Sequence, residues 1–331
     1  MARMKSADSR SIRFSILQGM PARSDQYNME HHDFIFPVRG APLAQPKSGK
    51  ARQIRPLRLG VVIPCRGDAD LLHPCLVSLG AELGRQDRAV VVNSTGDRFT
   101  AAIARQSNFY CLTPPNPARG LAIAAGVVQI FGNPGVNQPA AAARFSHAVA
   151  APRPDLLLIA HADMVFPRGW RRRLESAMAG NPELGWGAFG HVIADARIRF
   201  RLLEAGNTWR AAYWHIPFGD QAMFLRSRAL HSIGGFPIQE KYEDLELALR
   251  LKEIGPPLIL DCPVTTGARH WRGGSSLRTF RNWCILAGYR AGWLKPGPTK
   301  AWSVATHQTP VFAADSLPLA CLWPIDSNLQ A

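Results

Sequence analysis

Leu156-Leu157-Leu158-Ile159-Ala160-His161-Ala162-Asp163 is a continuous apolar run that ends in a histidine and an aspartate. A strand that is apolar at consecutive rather than alternate positions is covered on both faces, as in a parallel sheet. In open α/β sheets, ligands sit just beyond the carboxyl ends of the strands. Asp163 therefore stands where a hard oxygen ligand for a metal-bound phosphate would stand. The same place suits an aspartate that closes the next turn, since Phe166-Pro167-Arg168-Gly169 follows.

Two strands lie upstream. One covers Leu57 to Pro64, β-branched and closed by proline, and the other is Ala89-Val90-Val91-Val92-Asn93, ended by Ser94-Thr95-Gly96-Asp97. Residues 71–83 and 99–106 read as helices, and 110–112 as a short strand. Strand, helix, strand, helix, strand predicts a right-handed parallel α/β sheet. Residues 113–139, rich in Pro, Gly, Asn and Ala, read as an irregular insertion, and the alanine-rich 140–150 as a helix. Downstream, 170–179 reads as a helix with Arg171, Arg172 and Arg173 on its exposed face. Residues 187–200 read as a strand pair, 201–213 as a helix and 222–225 as a short strand. An amphipathic helix spans 245–254, stopped by Gly255-Pro256. A strand at 258–260 and a basic, aromatic helix at 279–294 complete the order.

The chain has 331 residues, 47% of them hydrophobic, and a formal charge of +15. That length supports a sizeable core. The charge fits a polyanionic partner or a solvated basic face. From Asp261 to Asp315 no acidic residue intervenes, while Arg269, Arg272, Arg278, Arg281, Arg290, Lys295 and Lys300 do. Residues 1–55 are polar, basic and aperiodic, and are expected to form a disordered or loosely docked arm. Residues 56–300 are expected to form one domain, and 301–331 a tail packed on it. The six cysteines match no zinc or disulfide framework, so a reduced, cytoplasmic protein is the expectation. No apolar run has the length of a spanning helix.

Three further motifs carry chemistry. Gly219-Asp220-Gln221 precedes the short 222–225 strand. Gly234-Gly235-Phe236-Pro237 makes a tight turn, and Glu243-Asp244 opens the amphipathic helix. Acidic residues at a helix start are favoured by capping and by the helix dipole alone. A carboxylate there also suits a general base acting on an alcohol. Arg269 and Arg272 flank His270-Trp271, and guanidinium groups hold phosphate oxygens well; surface charge beside a packed Trp reads equally.

Taken in order, Leu-Leu-Ile-Ala-His-Ala-Asp (157–163), Gly-Asp-Gln-Ala-Met-Phe (219–224), Gly-Gly-Phe-Pro (234–237) and Glu-Asp (243–244) resemble a family 2 glycosyltransferase of the GT-A fold. The nearest likeness is to a bacterial subgroup with HAD in place of DxD, over about residues 57–295. The resemblance implies a nucleotide-diphospho-sugar transferase-like three-layer α/β sandwich with a mostly parallel central sheet. It implies that Asp163 binds a divalent metal, Mn²⁺ or Mg²⁺, bridging the diphosphate of a nucleotide-sugar, with His161 beside it. It implies Asp244 as general base with Glu243 as its neighbour. Pro64, Asp68 and Asn93 would line the nucleobase and ribose, and Arg144 would lie near the diphosphate. Gly219, Asp220, Gln221, Arg269 and Trp271 would border the acceptor. The chain departs from the family at Cys65-Arg66-Gly67-Asp68 and at Asn93, both at the nucleotide end.

The expected activity is an inverting, metal-dependent hexosyl transfer from a nucleotide-sugar to a saccharide or lipid-linked hydroxyl. A cytoplasmic enzyme, peripheral on the inner face of a membrane through Phe280 to Trp293, would suit a lipid-linked acceptor, although that segment equally suits packing on the sheet. A nucleotidyltransferase would want a glycine- and lysine-rich loop after the first strand, which Arg66-Gly67 does not supply. A catalytically silent relative would use its basic surface on anionic membrane or nucleic acid; no nucleic-acid module is present, and no nucleic-acid partner is expected.

Overall fold

The computed structural model describes residues 56–132, 153–268 and 284–288. Strands β1 (Leu59–Cys65), β2 (Arg88–Asn93), β3 (Tyr110–Leu112), β4 (Leu156–Ile159), β5 (Met164–Val165), β6 (Trp186–Ile193), β7 (Met223–Arg226) and β8 (Leu258–Thr266) form one sheet in the order β3-β2-β1-β4-β7-β6-β8-β5. Strands β3, β2, β1 and β4 are mutually parallel, and β6 is parallel to β8. Strand β7 runs antiparallel to both β4 and β6, and β5 to β8. Four of the seven pairings among the described residues are parallel, so the sheet is mostly parallel as expected, with its continuous parallel run at the amino-terminal half and antiparallel pairings at β7 and β5.

The consecutive apolar positions have a direct cause. Along β1, β2 and β4, Val61, Ile63, Ala89, Val91, Leu156 and Leu158 face one core. The intervening Val62, Val90, Val92, Leu157 and Ile159 face another. Helices α1 (Ala69–Gly80), α2 (Arg98–Gln106) and α4 (Trp170–Gly180) cover the first face with Leu72, Leu76, Leu79, Ala104, Trp170 and Leu174. Helices α3 (Arg119–Phe131), α6 (Ser227–Ser232) and α7 (Glu243–Glu253) cover the second with Ile123, Val127, Ile130, Leu230, Leu245 and Leu251. Each fully buried aliphatic side chain contributes about 1.5–3 kcal/mol. Helix, sheet and helix make the three layers. Helix α5 (Ile198–Trp214) lies between β6 and β7 in sequence.

Several sequence readings are corrected. Residues 113–139 are not wholly irregular, because α3 runs through them. Its glycines lower helix propensity but serve close packing. A Cβ on Gly126 would come 2.6 Å from Val62 Cγ1, and one on Gly120 would come 2.0 Å from the Gln239 carbonyl oxygen. Residues 187–200 are one strand and the start of α5, not a strand pair. Strand β8 extends well past Leu260, carried by its pairing with β6 through a bulge near Phe189. Arg171 is not on an exposed face. It bonds Asp87, Glu175 Oε1 (3.0 Å) and the carbonyls of Glu82 (3.1 Å) and Leu57 (2.8 Å), tying α4 to the segments that lead into β1 and β2.

The described cysteines are all free thiols. Among the described residues no helix is long and apolar enough to cross a membrane. The arm at 1–55, the helix at 140–150 and the tail at 301–331 lie outside the described residues. So does most of the helix at 279–294, of which 284–288 is helical.

Candidate functional site

The sheet gathers the site at one edge. Because β1, β2 and β4 are parallel neighbours, Pro64 to Asp68, Asn93 and the His161-Ala162-Asp163 turn all leave the sheet at the same end. Strand β7 runs against β4, so the turn that precedes it, a 3-10 turn at Gly219–Gln221, arrives at that end too. The amino ends of α3 and α7 complete the rim.

A pocket opens there, lined by Arg119, Ile159, His161, Gly219, Phe236 and the Glu243–Asp244 pair, among others. Arg119 Nε bonds Glu243 Oε1 at 2.5 Å, and Arg119 Nη2 bonds Asp244 Oδ2 at 2.9 Å. Asp244 Oδ2 also accepts the Gly219 backbone N–H at 3.0 Å, and Oδ1 accepts the Leu245 N–H at 2.9 Å. A Cβ built on Gly219 would lie 2.9 Å from Arg119 Nη2, 3.0 Å from His161 Nε2 and 3.1 Å from Asp244 Oδ2. Three polar groups from three elements thus converge on one glycine that has no side chain to keep them apart.

The electrostatics follow from this geometry. Burial raises the Asp244 pKa, but Arg119, the two backbone N–H groups and His161 more than offset it and hold the carboxyl below its usual range. Glu243 moves the other way: burial first, then the charge of Asp244, pushes it up against the pull of Arg119. Burial alone would lower the Arg119 pKa, yet the Asp244 and Glu243 charges raise it. A cation at a helix amino end opposes the helix dipole. Arg119 begins α3, and the two acids compensate it.

A polar scaffold supports the Gly219–Gln221 turn from beneath. Buried Arg210 on α5 bonds the Ile216 carbonyl (2.9 Å), Asn207 Oδ1 (2.9 Å) and Gln221 Oε1 (3.3 Å), and stacks on Phe218 at 3.6 Å. Burial lowers its pKa to about 10, against the raising effect of Asp220 and Asp244. His191 Nε2 meets Thr266 Oγ1 at 2.8 Å and lies 4.0 Å from Asp220 Oδ2. Asp220 Oδ1 and Gln221 Nε2 are buried with no hydrogen-bond partner among the described residues. His215, Ala222 and Tyr242 are non-glycine residues with φ of 58°, 44° and 59°. They bracket the turn and the start of α7, as strained backbone often does at functional sites.

The structure brings His161, Gly219, Glu243 and Asp244 together, with Asp220 and Gln221 adjoining. Asp163 lies two residues past His161, on the side of Gly267, where a Cβ would come 3.6 Å from its Oδ2. No group of three His, Cys, Asp or Glu side chains able to hold a metal exists among the described residues. A lone carboxylate still fits a cation that arrives with its own phosphate oxygens, because Mg²⁺ is commonly held by one or two carboxylates plus substrate phosphates. Pro64 and Asp68 sit at the end of β1, and the Asp68 carbonyl accepts the N–H groups that open α1. Asn93 is buried and spends its side chain on its own turn: Nδ2 donates to the Asp97 carbonyl (2.8 Å), and Oδ1 accepts from Thr95 (3.3 Å). Arg144, Arg269 and Trp271 lie outside the described residues. Arg119 and Arg210 were missed from sequence; Arg119 is signalled only as a cation at a helix start, which needs an acidic partner.

The sequence matches no protein-family model, and no curated protein is significantly similar to it. Solved structures are similar in fold. A mannosyltransferase from Pyrobaculum calidifontis, in complex with GDP-Man and Mn²⁺, superposes with a TM-score of 0.52 at 16% identity, over 77% of this chain and 70% of that one. A mannosyl-3-phosphoglycerate synthase from Rubrobacter xylanophilus gives 0.44 at 16% identity, over 74% and 79%. A glucosyl-3-phosphoglycerate synthase from Mycobacterium tuberculosis, with Mn²⁺ and UDP, gives 0.40 at 14% identity, over 64% and 70%. The sheet order, the layers on both of its faces and the first of these likenesses identify the fold as that of the GT-A nucleotide-sugar transferases.

Proposed function

We propose that the protein transfers a sugar from a nucleotide-sugar to a hydroxyl acceptor, in a single displacement that inverts the anomeric centre. The observation that carries this reading is the Asp244 carboxylate, fixed and ionised at the carboxyl edge of the sheet by Arg119 and the Gly219 N–H. A carboxylate offers about four acceptor positions. Among the described residues two are taken on Oδ2 and one on Oδ1. The position left on Oδ1 is where an acceptor hydroxyl would dock.

In the reaction, Asp244 takes the hydroxyl proton while the acceptor oxygen bonds the anomeric carbon. The bond from that carbon to the diphosphate breaks, and its electron pair leaves with the nucleoside diphosphate. A base with a depressed pKa suffices, because the hydroxyl becomes acidic as its new bond forms. Arg119 keeps Asp244 charged and oriented, and Glu243 holds Arg119 through its Nε. Asp163 would hold a divalent cation, Mn²⁺ or Mg²⁺, together with the diphosphate, and that cation would supply neutralisation of the leaving charge. Pro64 and Asp68, at the end of β1, would border the nucleoside. Asp220 and Gln221, with unused buried polar atoms, would face a saccharide or lipid-linked acceptor.

Asp244→Asn tests the assignment. It keeps shape and removes basicity, so turnover should fall by at least about 100-fold while the nucleotide affinity stays. Wild-type turnover in that variant would remove Asp244 from the chemistry.

A further inference from the structure

Helix α5 is inverted with respect to an ordinary surface helix. Its inward face includes the polar Asn207 and Arg210 beside Phe200 and Ala211. Its outward face carries Ile198 (74% exposed), Leu202 (69%), Trp209 (44%) and Tyr213 (58%). Steps of four, seven and four residues put these side chains within about 60° of arc at 3.6 residues per turn. Ala205 and Gly206, also exposed, fill the middle of the stripe. The stripe is about 22 Å long at 1.5 Å per residue. At its carboxyl end Trp209 packs against Tyr213 and Trp214, with ring centroids 5.6 and 5.2 Å apart.

We infer that this face of α5 docks onto an anionic lipid bilayer. Contiguous exposed apolar surface marks an interaction site, and the charges on α5 choose the partner. Arg199 and Arg201 flank the stripe on its two sides, and Arg197 precedes it. Glu204 accepts the Ile193 N–H and pairs with Arg201, and Asp195 pairs with Arg197. Arg199 is the surplus cation of the group, exposed beside the stripe and with no carboxylate partner among the described residues. An apolar face bordered by arginines, with Trp and Tyr at one end, is the pattern of a helix lying in a membrane interface. The formal charge of +15 acts in the same direction. From Trp214 the chain runs through Ile216 and Phe218 directly into Gly219, so the docked face would adjoin the acceptor side of the pocket. Docking itself does not depend on the transfer reading.

Flotation of the full-length protein with vesicles tests this, using phosphatidylcholine alone and phosphatidylcholine mixed with phosphatidylglycerol. The protein should float with the anionic vesicles only, less at high salt. Leu202→Ser/Trp209→Ser should weaken that partition at least about tenfold, the change expected for roughly 1.4 kcal/mol, with the melting temperature retained. Arg199→Gln should leave the apolar face whole and shift release to lower salt. Val77→Ser, an exposed apolar residue on α1, should change nothing. Unchanged flotation of the double variant, or no flotation of the wild type, would overturn the inference. So would a dimer in light scattering that the double variant abolishes, since that would make the face an interface between copies. Nucleotide-induced stabilisation, measured on the same double variant, reports on the transfer reading separately.

Discussion

Three hydrogen bonds converge on the Asp244 carboxylate, and they govern how the site responds to pH. An aspartate in the unfolded chain titrates near about 3.9, and the folded Asp244 lies lower. Its contribution to stability is therefore complete above that value and is lost as the pH falls through the folded pKa. The acid limb of kcat/KM, if Asp244 sets it, lies in the same low window. Arg119→Gln removes the largest cause of the depression and should move that limb upward; a limb that stays in place would assign it to another group. Gly219→Ala probes the same point sterically. The added methyl would press on Arg119, His161 and Asp244 at once. Folding should be retained because the pressed atoms are side-chain ends, whereas kcat should drop roughly 10- to 100-fold, as small misplacements at a reacting centre do. Full activity in Gly219→Ala would show that these groups need not converge. From sequence the acidic pair was legible, because acids at the start of an amphipathic helix stand out. Arg119 was not: its partners are more than 120 residues away, and no local pattern encodes such a contact.

At the level of elements, the amino-terminal half of the fold rests on a polar clasp as well as on its core. Asp87 is buried, accepts the N–H groups of Leu59 (2.8 Å) and Gly84 (2.6 Å), and pairs with Arg171 of α4. Glu82 accepts the Gly169 and Arg171 N–H groups and so caps α4 from α1's side of the fold. Asp87→Ala would leave the Leu59 and Gly84 N–H groups without their acceptor and take from Arg171 one of its two carboxylate partners, Glu175 remaining. At about 1–3 kcal/mol for each buried donor left unpaired, the loss should be about 2–4 kcal/mol, read as a lower midpoint in denaturant with an unchanged slope. A change below about 1 kcal/mol would show that water replaces the clasp. Strands β1, β2 and β4 were legible because unbroken apolar runs have one explanation in an α/β protein, burial on both faces. Helix α3 was hidden because its glycines, which let it approach Val62 and the Gln239 backbone, are the residues that sequence patterns score against a helix. Helix α5 was found, but its inverted faces were not, since periodicity locates a stripe without saying which way it points.

For the whole molecule, one end of the sheet carries the Asp244 carboxylate, the buried Arg210 that supports the Gly219–Gln221 turn, and the turn that holds Asp163, the proposed metal ligand. The likeness in fold to a GDP-Man-bound mannosyltransferase makes a nucleotide-sugar the first ligand to test, at an identity too low to choose base or sugar. In the proposed reading, the departures at Cys65 to Asp68 and at Asn93 fall where the nucleotide would bind. Asn93 is committed to its own turn, so a bound base would be read by other groups or by the backbone. The direct test is the melting temperature of the full-length protein with nucleoside diphosphates and nucleotide-sugars, each with and without Mn²⁺ or Mg²⁺. A ligand that binds only the folded state raises that temperature by mass action. The expected result is a rise that requires nucleotide and metal together and that disappears in Asp163→Ala, whose own melting temperature stays close to that of the wild type. No rise with any donor, or a rise that survives Asp163→Ala undiminished, would contradict it.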